Sequence, residues 1–325
     1  MLKRSLTSVV AFCGIFLTAC GGGGGSSSVA DVSLGGSFSK GLYANAEVQA
    51  YEVVNGALVA IGSKTTTNTS GEYTLTLKPT SNPVVVEMTT TSATTMMDET
   101  NNFQTSTPMV GTKIRTMVSE LSTSMPAVHG NVFTEMAVSG AKNSTAGLTA
   151  SSIAASKALV QSATGIDPFS VKPVGSTSAT MDSSQEKLMT LMTAMMLEAK
   201  NTAGSCSGDS TGVSCLVTTL NNKAALTVNS SAGTYGVTDA AGLNSYLTAK
   251  MTALNTYTPP SDPGGFVAKM KSNSLIAAAA MTVPTTISAT DASNRQGLDS
   301  FLQAMRGGFN EAETTIKARN DAAKV

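Results

Sequence analysis

The sequence predicts an α+β protein with two domains, in which a small β-sandwich precedes a mostly α-helical domain. Two observations carry this prediction: short segments with strand-like alternation occupy residues 31–95, and apolar residues at helical spacing occupy most of residues 111–325. A Thr-rich linker over 96–110 separates the two regions. A chain of 325 residues is long enough for about two domains.

The strands are predicted from alternation and from turn residues. Asn55-Gly56 separates residues 48–54 from residues 57–61, and such a pair predicts a hairpin because both turn positions need positive φ. Residues 72–77 alternate polar and apolar side chains behind the turn at 69–71. Three valines at 84–86 indicate a buried strand. Several short strands with turns between them favour a sandwich.

The helices are predicted from capping residues and apolar stripes. Ser183 and Glu186 have capping-box spacing, and Asp239 and Ser293 are predicted N-caps of later helices. The apolar positions are Ile153, Leu159 and Val160; Leu188, Leu191, Met192, Met195 and Ala199; Leu243, Tyr246, Leu247, Met251 and Leu254; and Leu298, Phe301, Leu302, Met305 and Phe309. These stripes predict the core of a helical bundle rather than a cofactor-binding face.

The N-terminus predicts export. Lys3 and Arg4 precede an apolar run that ends at Leu17-Thr18-Ala19-Cys20, and this pattern is typical of a secretory signal peptide over residues 1–19. A membrane-spanning helix needs about 20 apolar residues, and this run is shorter. The residues Leu17-Thr18-Ala19-Cys20 resemble a bacterial lipobox, which implies that Cys20 is lipidated and becomes the mature N-terminus.

Residues 20–30 form a predicted Gly/Ser tether behind the lipid. Five glycines and three serines follow Cys20, and such a chain is flexible and spans only about 15 Å. Gly21 stands where an Asp retains enterobacterial lipoproteins in the inner membrane, so the resemblance implies anchoring in the outer membrane. The sequence leaves open whether the protein faces the periplasm or the cell surface.

Two cysteines remain for the folded protein. Cys13 leaves with the signal peptide and Cys20 carries the lipid, so Cys206 and Cys215 form an even pair in an oxidising compartment. We expect a disulfide between them. A metal site at these cysteines lacks histidine partners, because His129 is the only histidine of the chain. We therefore predict no metal and no cofactor.

Catalytic patterns are sparse. Residues 208–212 match G-x-S-x-G around Ser210, but no apolar strand precedes them and His129 comes before the serine, against the hydrolase order. Ser184 with Lys187, and Ser139 with Lys142, have Ser-x-x-Lys spacing, but the accompanying motifs of penicillin-recognising enzymes are absent. We expect His129 to be a solvated loop residue. The sequence thus predicts a protein without a catalytic site, with a serine hydrolase at Ser210 as the enzymatic alternative.

Composition narrows the class of partner. The formal net charge is zero and only 13% of residues are charged, which disfavours nucleic-acid binding. Aromatic residues are 5% of the chain and Trp is absent, which argues against a typical polysaccharide-binding surface. We expect the membrane lipid, and a protein or glycan partner in the envelope or outside the cell, to be the contacts of this chain.

Two groups of residues resemble known families. Gly36, Gly41-Leu42, Asn45-Ala46-x-Val48 and residues 67–75 resemble the carboxypeptidase regulatory-like, prealbumin-like β domain, whose members act mostly as structural, spacing or carbohydrate-associated modules. Residues 133–137, 147–153 and 165–169 are similar to segments of uncharacterised bacterial lipoproteins that pair such a domain with a helical region. The resemblance implies this two-part architecture and leaves the function open. We expect a non-enzymatic envelope lipoprotein whose β domain is a tethered spacer and whose helical domain binds a partner. The alternative is an accessory subunit of an outer-membrane or surface assembly.

Overall fold

A computed structural model describes residues 30–122, 125–175, 180–202, 206, 208–229, 233–262, 264–279, 281–288 and 290. The fold is α+β, as predicted, with antiparallel sheets and six α-helices in the described residues. None of the described helices is long and apolar enough to cross a membrane.

Between residues 30 and 118, nine strands form three sheets. They are β1 (Val32–Ser37), β2 (Tyr43–Ala44), β3 (Glu47–Val54), β4 (Ala57–Thr66), β5 (Glu72–Leu77), β6 (Val84–Thr89), β7 (Thr95–Asp98), β8 (Gln104–Ser106) and β9 (Lys113–Val118). The largest sheet has the order β4-β3-β6-β9, a second pairs β1 with β5, and a third has the order β2-β7-β8. One hydrophobic core is shared by the first two sheets, in a sandwich-like arrangement.

The predicted hairpin is confirmed. Asn55 and Gly56 have φ values of 51° and 78° and connect β3 to β4, with Val54 opposite Ala57. The alternating strand at 72–77 is β5, and the valines at 84–86 are fully buried in β6, the strand between β3 and β9. In β5 the side chains of Tyr73, Leu75 and Leu77 point into the core, as their period-two spacing requires.

Strands continue beyond residue 95, the predicted end of the β domain. Residues 96–110, predicted to be a linker, contain parts of β7, a 3₁₀ turn at Glu99–Asn101, and β8. Strand β9 falls within the region predicted to be helical, yet it pairs antiparallel with β6 along its whole length. Its alternation is hard to detect because the last three residues, 116–118, are all buried. Lys113 and Arg115 each pair with a carboxylate.

Six helices and a small sheet make up the described part of the second half. The helices are α1 (Val132–Asn143), α2 (Ala150–Thr164), α3 (Ser183–Thr202), α4 (Val213–Lys223), α5 (Ala240–Thr256) and α6 (Phe266–Ala279). The strands β10 (Leu226–Asn229), β11 (Thr234–Val237) and β12 (Thr286–Ser288) form an antiparallel sheet.

The predicted helical stripes are buried where the structure describes them. In α3 and α5 the stripe residues are almost inaccessible, apart from the half-buried Tyr246. Asp239 caps α5 through Gly242 N–H, as predicted. The cap of α3 is displaced by one residue: Asp182 accepts a hydrogen bond from Gln185 N–H, and the Gln185 side chain accepts one from Asp182 N–H. The predicted helix behind Ser293 lies outside the described residues.

Helix α1 joins the helical half to the large sheet. It packs along β9, and Glu135 accepts three hydrogen bonds from Arg115: from the backbone N–H at 2.8 Å, from Nε at 2.9 Å and from Nη2 at 2.5 Å. The two side chains are 12% and 2% exposed. Because the contact is buried and bidentate, it fixes α1 on the sheet.

Candidate functional site

An open groove lies between the free edges of two sheets. It runs between β4 and β5, has a volume of about 790 Å³, and is lined on one side by Ile61–Thr65 and on the other by Thr74–Thr80. Volumes of this size are typical of binding sites. In the described residues, β4 pairs only with β3 and β5 only with β1, so both strands present an edge to the groove.

Hydrogen-bonding capacity at this edge comes from the backbone. Val54 and Ala57 flank the two-residue turn and form its hydrogen-bonded pair. Along the hairpin, non-hydrogen-bonded and hydrogen-bonded pairs then alternate, so Leu58 and Ala60 belong to non-hydrogen-bonded pairs. The N–H and C=O groups of Leu58 and Ala60 therefore point away from β3. Beyond them the ladder has a bulge. Ala50 pairs with Ile61 and Val48 with Thr65, so the three residues Gly62–Lys64 of β4 lie opposite a single residue of β3.

Charged side chains near the groove are already paired. Lys64 Nζ lies 2.6 Å from a carboxylate oxygen of Glu47, and Lys78 Nζ lies 2.5 Å from one of Asp31. Glu52 accepts hydrogen bonds from Thr80 and Asn82, which lower its pKa. Since cations and carboxylates balance, the groove carries no strong charge of one sign and suits a neutral polar ligand or backbone.

The disulfide between Cys206 and Cys215 is present, with 5.9 Å between the Cα atoms. It joins cysteines nine positions apart in the chain, and Cys215 lies in the first turn of α4. The lipidation site predicted at Cys20 lies outside the described residues.

Replacement of both Cys206 and Cys215 by Ala is expected to lower the free energy of unfolding by about 2–3 kcal/mol, because the unfolded chain gains the freedom of this loop. Urea unfolding followed by circular dichroism measures the loss. The wild type in excess dithiothreitol is the matched control and should reach the same midpoint as the variant. Equal stability of oxidised and reduced wild type would contradict the prediction.

Ser210 does not belong to a nucleophile elbow. It is exposed on a turn, and the residue before it, Asp209, accepts hydrogen bonds from N–H and hydroxyl groups of both Thr211 and Ser214. Burial raises the pKa of Asp209, but these hydrogen bonds outweigh it and lower the pKa. The segment therefore caps the start of α4 and leaves Ser210 without a catalytic partner among the described residues.

The two Ser-x-x-Lys pairs are not assembled into a site. Ser139 is buried in α1 and accepts a hydrogen bond from Asn143, whereas Lys142 is exposed. On α3, Lys187 Nζ donates to Gly165 C=O at 3.5 Å, and partial burial lowers the pKa of this lysine. Ser184 is half-buried in the first turn of the same helix.

The expectation that His129 is solvated is wrong. Residues 128–130 run parallel to β1, joined by hydrogen bonds from Val128 N–H to Gly35 C=O and from Gly130 N–H to Ser37 C=O. This places His129 in the interior at 4% exposure, with Nδ1 2.8 Å from Ser37 Oγ. Ser37 is 1% exposed, so this serine–histidine contact has no access for a substrate and joins segments of the fold.

Burial lowers the pKa of His129 to about 4, and the charge of Lys172 lowers it as well, against smaller opposing effects of Glu72 and Asp167. In the unfolded chain His129 takes up a proton near pH 6.5, whereas in the folded chain it stays neutral until about pH 4. The contribution of His129 to the free energy of unfolding is therefore fully present above pH 6.5, and about 3 kcal/mol of it is lost as the pH drops to 4. His129→Asn should remove this part of the pH dependence in urea titrations. An unchanged profile would contradict the prediction.

A second buried polar cluster is not indicated by any pattern in the sequence. Lys40 and Glu99 are both completely buried, with 3.7 Å between Nζ and Oε1. Beside them, Asp98 pairs with Lys200 at 2.7 Å and accepts hydrogen bonds from Thr100. Both carboxylate oxygens of Glu99 and the hydroxyl of Tyr43 lack hydrogen-bond partners in the described part of the chain. Asp98 and Glu99 fall in the segment predicted to be a linker, and their contacts depend on the pairing of β2 with β7.

Metal ligands do not cluster in the described residues, where no group of three His, Cys, Asp or Glu side chains could hold an ion. No protein-family model, no curated protein and no solved structure matches the chain. The resemblance to the regulatory-like β domain and to two-part lipoproteins therefore stays a prediction from the residues quoted for it.

Proposed function

We propose that this chain is a non-enzymatic lipoprotein of the bacterial outer membrane, tethered through Cys20, that binds an envelope or extracellular partner. The pattern Leu17-Thr18-Ala19-Cys20 carries the location. The Gly/Ser tether behind it keeps the folded region close to the membrane. In this proposal a prealbumin-like β domain acts as a spacer and the helical region is the interaction domain.

The absence of an assembled catalytic group in the described residues supports a binding role. Within the described ranges Ser210 has no basic partner, and the one histidine contacts a serine that solvent does not reach. Among the described residues, the charged side chains near the groove are held in ion pairs or in contacts with neighbouring side chains. A serine hydrolase at Ser210 predicts labelling by a fluorophosphonate probe, and we expect none.

The open groove favours the second candidate function, an accessory subunit of an envelope assembly. Two sheet edges face each other across it, and an edge strand with free N–H and C=O groups can accept an extended segment of another protein. Such pairing relies on backbone hydrogen bonds, which agrees with the balanced charge of the groove.

Cross-linking in cells tests the binding role at this edge. Ala60→Pro removes an outward-facing N–H of β4 without removing a bond to β3, whereas Ala60→Thr retains it and serves as the matched control. The accessory-subunit candidate predicts a discrete cross-linked partner with the wild type and Ala60→Thr, and its loss with Ala60→Pro. A partner that persists with Ala60→Pro would contradict strand pairing at Ala60 and favour the helical region as the interaction domain.

Protease treatment of intact and permeabilised cells tests the location. Degradation in intact cells would indicate a surface-exposed protein, and protection until permeabilisation would indicate a periplasmic one. Recovery of the protein in the cytoplasmic fraction would contradict the proposal as a whole.

A further inference from the structure

The Lys40–Glu99 pair is poorly explained as an ion pair. Both side chains are completely buried, their closest atoms are 3.7 Å apart, and neither oxygen of Glu99 receives a hydrogen bond within the described residues. Buried charges are stable only with close contacts and satisfied hydrogen bonds, because their removal from water is costly. In the part of the chain that the structure describes, Lys40 Nζ donates one long hydrogen bond, to Met192 C=O of α3 at 3.4 Å.

We propose that Lys40 and Glu99 are joined by an intramolecular isopeptide bond, which forms between Nζ and Cδ inside the folded protein. The bond replaces two buried charges by one neutral amide. This inference does not depend on the proposed function.

The backbone holds the two side chains together. Strand β2 pairs with β7, and Met97 N–H donates to Leu42 C=O at 3.1 Å. Gly41 lies so close to Met97 that a Cβ on the glycine would be 1.5 Å from the Met97 carbonyl oxygen. Lys40 directly precedes Gly41, and Glu99 follows Met97 by two residues. The backbone contact therefore holds the Lys40 and Glu99 side chains next to each other, and such fixed proximity strongly accelerates bond formation.

The condensation balances within the pair. A proton passes from the ammonium group to the carboxylate, and the neutral amine then attacks Cδ of the neutral acid. Burial favours both neutral forms: it lowers the pKa of Lys40 to about 8 and raises the pKa of Glu99, against the attraction between the two charges. The second amine proton leaves with the acid hydroxyl as one molecule of water, so the step needs no oxidant, reductant or nucleotide.

Neighbouring groups suit the reaction and its product. The Tyr43 hydroxyl is buried and has no hydrogen-bond partner in the described residues. Burial, and then the negative charges of Glu99 and Asp209, raise the pKa of Tyr43, so this hydroxyl stays a neutral donor. Met192 C=O can accept the N–H that remains in the amide.

Tryptic mass spectrometry of the full chain tests the proposal. We expect no cleavage after Lys40, and a branched peptide lighter by one water than its two linear parts. The exposed pair of Lys64 and Glu47 is the internal control, and cleavage after Lys64 should be complete because both side chains are solvated. Full recovery of peptides that end at Lys40, together with unmodified Glu99, would overturn the inference.

Two variants separate the bond from other modifications. Lys40→Met removes the nucleophile at similar volume, and the branched peptide should disappear. Glu99→Gln retains the shape of the site and should yield the same branched peptide, now with loss of ammonia rather than water from its linear parts. A mass loss on the Glu99 peptide that persists with Lys40→Met would also overturn the inference.

Discussion

Glu135→Ala is expected to lower the free energy of unfolding by about 3–5 kcal/mol. The carboxylate accepts three hydrogen bonds from Arg115 and is 2% exposed, so its removal leaves the guanidinium without its partner at the junction of β9 and α1. Asn221 loses a contact of 3.4 Å to the same carboxylate. Urea unfolding followed by circular dichroism measures the loss.

Glu47→Ala is the matched control, because Glu47 and Lys64 form an ion pair on the solvent-exposed surface. Exposed pairs contribute about 0–1 kcal/mol, so this variant should be close to the wild type. A similar loss in both variants would show that the Arg115–Glu135 contact has no special role. It would also contradict the placement of α1 on the sheet.

Gly41→Ala is expected to lower the free energy of unfolding by about 2–5 kcal/mol, from a left-handed backbone and from overpacking. Gly41 has a φ of 67°, and the added Cβ would overlap the carbonyl oxygen of Met97 at 1.5 Å. The contact is between backbones, so no side chain can move aside. Urea unfolding of the purified variant measures the change.

Gly56→Ala separates the cost of the left-handed backbone from the cost of overpacking. Its φ is 78°, but nothing lies within 4 Å of the added Cβ, so only the conformational cost of about 1–2 kcal/mol remains. A loss of equal size at both positions would contradict the close approach of Gly41 to Met97.

Local signals in the sequence predict much of the fold. The hairpin at Asn55-Gly56 follows from the positive φ values that its turn requires, and β5 follows from a strict alternation. The stripes of α3 and α5 are equally local, because one helix face buries every third or fourth residue.

Features that depend on distant pairing are not visible in the sequence. Strand β9 carries Lys113 and Arg115, and only its partners Glu87 and Glu135 explain why these charges lie on a buried sheet. His129 is interior because residues 128–130 pair with β1, some 90 residues earlier in the chain. The contact between Lys40 and Glu99 likewise arises only when β2 pairs with β7.

The groove is not visible in the sequence. It needs two edges that face each other, and this depends on the placement of β1 and β5 beside β4. The Cys206–Cys215 disulfide was predicted from the count and position of cysteines, and the structure contains it.

We propose that a lipid on Cys20 anchors the chain in the outer membrane. Metabolic labelling with an alkyne fatty acid, followed by sucrose-gradient separation of the membranes, tests this anchoring. We expect the wild type to carry the label and to sediment with the outer membrane, and Cys20→Ser to lose both properties. Cys13→Ser, a matched change within the predicted signal peptide, should keep them. A wild-type chain without the label, or a Cys20→Ser variant that still carries it, would contradict the lipid anchor.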